Sequence, residues 1–201
     1  SEREFSEKFQ ISRMTVRQAL NNLVQEGFVY RQKGKGTFVS RQKVEKKISR
    51  LNSYTEEMLE RGLKPSSKII EFEISKSDSS TSNALKINEN DPIYKIKRVR
   101  LADSIPMSIE SIYVPCDIAP NLNTSVLEKS FFDYVHANIS DPIQYADQSI
   151  QARMPTEKEA KLLEIPMNCP VMLINRTTYL RSGKVLEYEL SVYRADRYKL
   201  V

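Results

Sequence analysis

The chain has 201 residues, 40% of them hydrophobic and 28% charged, the ordinary composition of a folded globular protein. It contains no apolar run long enough to span a bilayer and opens with no secretory pattern, so membrane and secreted classes are set aside and a cytoplasmic location is expected. A single histidine, His136, and two distant cysteines, Cys116 and Cys169, leave little material for a metal centre or a catalytic triad; no metal, cofactor or catalytic residue is expected, and both cysteines read as reduced thiols.

The net charge of +5 is unevenly spread. Residues 1–47 hold eleven Lys/Arg against five Asp/Glu, whereas residues 48–201 hold 20 against 21. A short basic piece attached to a long neutral one suggests a polyanion-binding module joined to something else.

In chain order, Ser1 and Glu4 stand at the spacing of a capping box and predict a helix through about Phe9. "QIS" allows only a turn. Ser12 can cap a second helix and Gly27 can end it, with Val16, Ala19, Leu20, Leu23 and Val24 forming the buried stripe. Arg13, Thr15, Arg17, Gln18, Asn21 and Asn22 lie off that stripe, where arginine, hydroxyl and amide groups can reach base edges and phosphates. Phe28–Arg31 and Thr37–Val39 read as short strands around "QKGKG", a basic hairpin whose glycines, Gly34 and Gly36, are free to take positive φ. Lys33 and Lys35 put charge at its tip.

Residues 41–52 are polar and read as a linker. "SYTEEMLERGLKP" is a short helix capped by Ser53 and stopped by Gly62 and Pro65. Residues 67–75 form a strand, a short helix is expected around Asn83–Lys86, and residues 92–101 and 106–114 form a hairpin. Residues 125–139 read as one helical segment, 142–154 as a strand, and 155–165 as a helix with a Thr156/Glu159 capping box. The chain closes on two long strands, 169–180 and 184–198, around "RSG". The result is an α+β domain of mostly antiparallel strands.

The hairpin "YKIKRVRLADSIPMSIE" poses a question of its own. Strand alternation puts Tyr94, Ile96, Arg98 and Arg100 on one face, and two guanidiniums turned inward need partners. Residue types alone favour an internal Arg–Glu salt bridge with Glu110. A hairpin loop of odd length would place Arg98 opposite Glu110, and one of even length would not.

The first forty residues, "SEREFSEKFQISRMTVRQALNNLVQEGFVYRQKGKGTFVS", resemble the winged helix-turn-helix of GntR-family bacterial transcription regulators. The family's first helix and lead-in strand do not precede them here, so the record is expected to lack N-terminal residues. The resemblance implies that Arg3, Arg13, Thr15, Arg17 and Gly34 lie at the DNA; charge adds Lys33 and Lys35. The segments "YKIKRVRLADSIPMSIE", "RTTYLRSG" and "SVYRADRY" resemble the UTRA domain, the effector-binding part of the HutC subfamily, which shares the chorismate-lyase fold. Within the subfamily the match is to repressors of N-acetylglucosamine utilisation. That implies a phosphorylated amino sugar as effector, such as glucosamine 6-phosphate or N-acetylglucosamine 6-phosphate. The implied pocket residues are Arg98 and Arg100 for phosphate, Glu110, Tyr54, Thr55, Ser130 and Tyr193, with Phe132 where such repressors often carry tyrosine. The Phe132 departure keeps another sugar phosphate or an organic acid open as effector.

The resulting expectation is a winged helix-turn-helix over residues 1–40, a linker over 41–52 and a UTRA domain over 53–201. Double-stranded operator DNA, a small-molecule effector and a second copy of the chain are the expected partners. A lyase-like enzyme is the alternative that the shared fold suggests.

Overall fold

The computed structural model describes residues 1–25, 29–32, 36–39, 43–46 and 51–201. They fall into two compact units, Ser1–Val44 and Glu45–Val201.

In the first unit, α1 (Glu2–Phe9) begins with the expected capping box: the Ser1 hydroxyl accepts from the Glu4 backbone and the Glu4 carboxylate accepts from the Ser1 amine. Gln10 closes the helix in the left-handed conformation, φ 53°. The Ser12 hydroxyl accepts from the Thr15 N–H at 3.1 Å and starts α2 (Arg13–Gln25). Gly27, read as its stop, lies outside the described residues. β1 (Val29–Gln32) and β2 (Gly36–Val39) pair antiparallel as the wing, and Gly36 takes φ 124°.

The α2 stripe differs from expectation. Val16 is buried, but Leu23 remains 37% exposed, Ala19 is exposed, and Leu20 and Val24 are half-buried. Ala19, Leu20 and Leu23 instead line an apolar groove of about 450 Å³ with Phe5, Phe9, Ile11 and Val39. A stripe becomes core only when another element closes on it, and no described element covers this one.

The second unit is built on a six-stranded antiparallel sheet of order β4-β5-β6-β9-β8-β7: β4 (Pro65–Lys76), β5 (Pro92–Ala102), β6 (Ile105–Pro115), β7 (Ile143–Arg153), β8 (Val171–Leu180) and β9 (Val185–Arg194). Two helices cover one face. Leu85 of α4 (Ser79–Leu85) packs with Ile93 and Val185, and Ala160 and Leu163 of α7 (Glu157–Leu163) pack with Val99, Ile109 and Val192. On the other face, Leu127 of α5 (Thr124–Leu127) and Phe131, Phe132 and Val135 of α6 (Phe131–Asn138) pack with Ile96, Ile112 and Val114. α3 (Tyr54–Leu59) also begins with the expected cap, Ser53 and Glu56 bonding reciprocally.

Three element boundaries move, each for a local reason. α4 starts at Ser79 rather than near Asn83 because the Asp78 carboxylate caps the Thr81 N–H at 2.7 Å. The helical stretch 125–139 splits in two because Asn123 and Ser130 each act as an N-cap. The last strand stops at Arg194, whose side chain forms two hydrogen bonds with Asp196. Beyond that bend β10 (Tyr198–Leu200) pairs with β3 (Val44–Lys46), a strand within the segment read as linker.

Candidate functional site

The β5–β6 turn has two residues, Asp103 and Ser104, both at positive φ (48° and 64°), as a tight primed turn demands. Its even length alone would set Arg98 opposite Ile109 and turn Glu110 to the far face. It does not, because Met107 is an extra residue: Leu101 pairs with Pro106, but Arg100 pairs with Ser108. This bulge shifts the register by one, and a one-residue shift changes which face every later side chain occupies. Arg98 therefore stands directly opposite Glu110.

Both side chains are buried, and Arg98 Nε donates to Glu110 Oε2 at 2.7 Å while its Nη1 donates to the Leu127 carbonyl at 2.7 Å. Burial alone would raise the Glu110 carboxyl, but Arg98 and Arg100 outweigh it and hold the group below the ordinary carboxylate range. The internal salt bridge thus exists, and it engages Arg98.

Arg100 is in a different position. Only 1% exposed, it donates to Ser67 Oγ at 2.6 Å, to the Lys129 carbonyl at 3.2 Å and to Thr55 Oγ1 at 3.1 Å. Its guanidinium lies 4.3 Å from the centroid of the Tyr54 ring. Glu110 Oε1 is 4.0 Å from its Nε, too far for a hydrogen bond, and the Nε–H has no acceptor. Burial, then the neighbouring Arg98, lowers its pKa from the usual arginine value.

A second charged group faces the same space from β8 and β9. Arg176 Nη2 donates to Glu187 at 3.1 Å and to Glu189, Thr178 Oγ1 donates to Glu187 at 3.0 Å, and the Ser191 hydroxyl donates to Glu189. Burial pushes the Glu187 carboxyl up to about 7 against the pull of Arg176. These residues were missed in the sequence, although one sign was present. Tyr193 was already assigned to the site, and alternation along β9 puts Glu187, Glu189 and Ser191 on the Tyr193 face.

All eight side chains assigned to the effector site from sequence (Tyr54, Thr55, Arg98, Arg100, Glu110, Ser130, Phe132 and Tyr193) line one cavity of about 30 Å³. Lys46, Asn52, Ser53 and Arg176 join them. Ser130 caps α6, its hydroxyl accepting from the Asp133 N–H at 3.2 Å, and the Phe132 ring centroid lies 5.4 Å from the Arg176 guanidinium. The lining carries four cations and three carboxylates, and Glu57 behind Lys46 supplies a fourth carboxylate. Arg98, Arg176 and Lys46 each hydrogen-bond a carboxylate, whereas Arg100 hydrogen-bonds none and has Glu110 at 4.0 Å. The volume suffices for a water molecule. A sugar-sized ligand needs its walls to move.

On the first unit Arg13, Thr15 and Arg17 are exposed on the opening turns of α2, and Arg3 is exposed on α1. Arg3 Nε donates to Glu7 at 2.8 Å, and Arg17 Nη2 donates to Glu2 at 3.1 Å. Lys33, Gly34 and Lys35 lie outside the described residues.

Comparison with known proteins agrees with this architecture. The model of the bacterial regulatory proteins of the gntR family matches residues 1–39, and that of the UTRA domain matches residues 60–199. The chain belongs to the GntR family: it is a DNA-binding transcription regulator of the HutC type, with a helix-turn-helix and an α+β UTRA domain of the chorismate-lyase-like fold. Among its relatives, it is 47% identical over 201 residues to the HTH-type transcriptional repressor NagR of Bacillus subtilis (strain 168), covering 100% of this chain and 83% of that protein. It is 32% identical over 192 residues to the mannosyl-D-glycerate transport/metabolism system repressor MngR of Escherichia coli (strain K12), covering 96% and 80%. The crystal structure of PhnF from Mycobacterium smegmatis superposes with a TM-score of 0.79 at 27% identity, over 100% of this chain and 89% of that one. Among the described residues no helix is long and apolar enough to cross a membrane.

Proposed function

We propose that this regulator is a repressor whose hold on operator DNA is modulated by a phosphorylated sugar, glucosamine 6-phosphate or N-acetylglucosamine 6-phosphate, bound in the cavity of the second unit. The observation that carries this reading is Arg100: a buried guanidinium on a cavity wall with an unused N–H and no carboxylate within hydrogen-bonding distance. Guanidinium groups match phosphate with parallel hydrogen bonds. Thr55 and Ser130 supply hydroxyls beside it, Ser130 at the start of a helix where anions are favoured. Glu110, Glu187 and Glu189 can accept hydrogen bonds from sugar hydroxyls, and Tyr54 and Tyr193 give the sugar ring an aromatic wall. The NagR and MngR relatives are named as repressors, which supports the direction of control.

On the DNA side, Arg3, Arg13, Thr15, Arg17, Lys33, Gly34 and Lys35 form the contact set. Two copies of the chain bind a palindromic operator, with residues 1–40 on the DNA and 53–201 holding effector. The ligand acts by binding two conformations unequally.

Thermal shift of the full chain against sugar phosphates and organic acids tests the effector. The amino-sugar 6-phosphates are expected to raise the melting temperature. Arg100→Met is expected to weaken their binding at least about tenfold, as loss of charge-assisted hydrogen bonds would. A full-chain protein that ignores every sugar phosphate but responds to an organic acid overturns the sugar assignment. Phe132 favours keeping that arm of the screen, since it brings no hydroxyl to the wall.

A further inference from the structure

We propose that Lys46 senses the effector: an anionic ligand competes with Glu57 for its ammonium, and breaking that pair loosens β3, the strand by which the chain enters the effector-binding unit. This rests on the effector reading above and names the residue that reports occupancy.

Lys46 is buried and lines the cavity with Arg98, Arg100 and Arg176. Of these four cations it alone is not carried by the six-stranded sheet. Its Nζ lies 2.8 Å from Glu57 Oε1 and 5.4 Å from the centroid of the Tyr193 ring. The pair is incompletely satisfied. Glu57 is 4% exposed, and its Oε2 is buried without a hydrogen-bond donor. An unpaired buried carboxylate oxygen weakens the case for this arrangement over one in which Glu57 shifts and Lys46 turns to a different anion.

The cavity supplies the force. At about 30 Å³ it cannot hold a sugar phosphate, so some wall must yield. Strands β5, β6, β8 and β9 are each paired on both sides within the sheet. β3 is three residues long, as is β10, and among the described residues β10 is its one sheet neighbour. The fastening includes the Val201 N–H on the Lys46 carbonyl at 3.0 Å and an exposed Lys199–Glu45 contact at 3.0 Å. Short strands with few backbone bonds open at lower free energy than the interior of a sheet. Among the strands that line the cavity, the one that yields is therefore β3, which bears Lys46. Lys46 is also two residues beyond Val44, where the first unit ends, so β3 is continuous in the chain with that unit.

The test uses the full chain with N-acetylglucosamine 6-phosphate and glucosamine 6-phosphate as probes, and a duplex selected by the chain from a random pool. Ligand affinity is measured by titration calorimetry, and DNA affinity is measured with and without ligand. Lys46→Met is expected to weaken probe binding about tenfold and bring the ratio of DNA affinities with and without ligand close to one. Lys46→Arg is expected to retain part of that ratio. Glu57→Gln is expected to tighten probe binding severalfold, because the competing carboxylate is gone, and it decides the matter if Lys46→Met does not fold. Parental affinity and parental ratio in both Lys46→Met and Glu57→Gln overturn the inference while the effector reading stands. A parent chain that binds neither probe overturns both.

Discussion

Arg98 and Arg100 share one face of β5, two positions apart, yet they meet different partners. Arg98 is paired with Glu110 at 2.7 Å, and both are buried. Removing one member of such a pair leaves a charge stranded, at a cost of about 3–5 kcal/mol. Arg98→Ala is therefore expected to lower the urea midpoint strongly, whereas the double variant Arg98→Met/Glu110→Leu recovers much of the loss. Equal midpoints for Arg98→Ala and the parent would show the pair to be dispensable. Arg100, without such a carboxylate, is the cleaner probe of ligand binding. Glu187 offers a pH test. Its folded pKa stands near 7, above an unfolded value of 4.5, because burial outweighs Arg176, with Glu189 and Glu110 adding to the rise and the Thr178 hydroxyl opposing it. An acid whose pKa rises on folding holds its proton more tightly when folded, so its contribution favours the fold at low pH and is lost as pH climbs from 4.5 to about 7. Glu187→Gln should therefore gain stability relative to the parent over that window. A constant difference between pH 4.5 and 7.5, read by urea unfolding, would contradict this.

The β5–β6 hairpin shows how an element carries the site. Alternation along β5 was readable, and residue types favoured Glu110 as an internal partner, but loop length left the register open. The turn alone predicts the wrong pairing, and the Met107 bulge corrects it. No sequence pattern marks Met107 as extra, because a bulge is settled by which face each later residue joins, here Ile109 with Val99 and Val192 and Ile112 with Ile96 and Leu127. Deleting Met107 removes the unpaired residue, so Arg98 is expected to stay opposite Glu110 in a regular hairpin and sugar-phosphate binding to persist, with some loss of stability from the buried side chain read in the same urea experiment. Loss of sugar-phosphate affinity in a folded variant would show that the bulge itself shapes the site. The caps were legible for the opposite reason. Ser1, Ser53 and Thr156 act on backbone N–H groups three residues away, so their effect is written locally.

Between the units, thermodynamic linkage makes a demand that does not depend on the path of coupling. Whatever factor the effector changes in DNA affinity, saturating DNA must change in effector affinity. Titrating N-acetylglucosamine 6-phosphate with and without the selected duplex gives one factor and titrating the duplex with and without the sugar phosphate gives the other; both are expected to differ from one by the same amount, and a factor of one in each would show that the sugar phosphate does not control DNA binding. The class of this protein was open to reading from the chain itself. A basic first segment, two capped helices with a glycine-bearing hairpin, and an arginine-bearing strand pair are local patterns of charge, capping and period two. The cavity was not. Arg176, Glu187 and Glu189 lie on strands far from Arg98 in sequence, and Lys46 lies in a stretch read as linker. Local order is set by neighbours a few residues apart, whereas a site is set by which distant strands become adjacent. It was the sheet order β5-β6-β9-β8, with register shifts in the β5–β6 and β8–β9 pairs, that brought the charges of four strands onto one face.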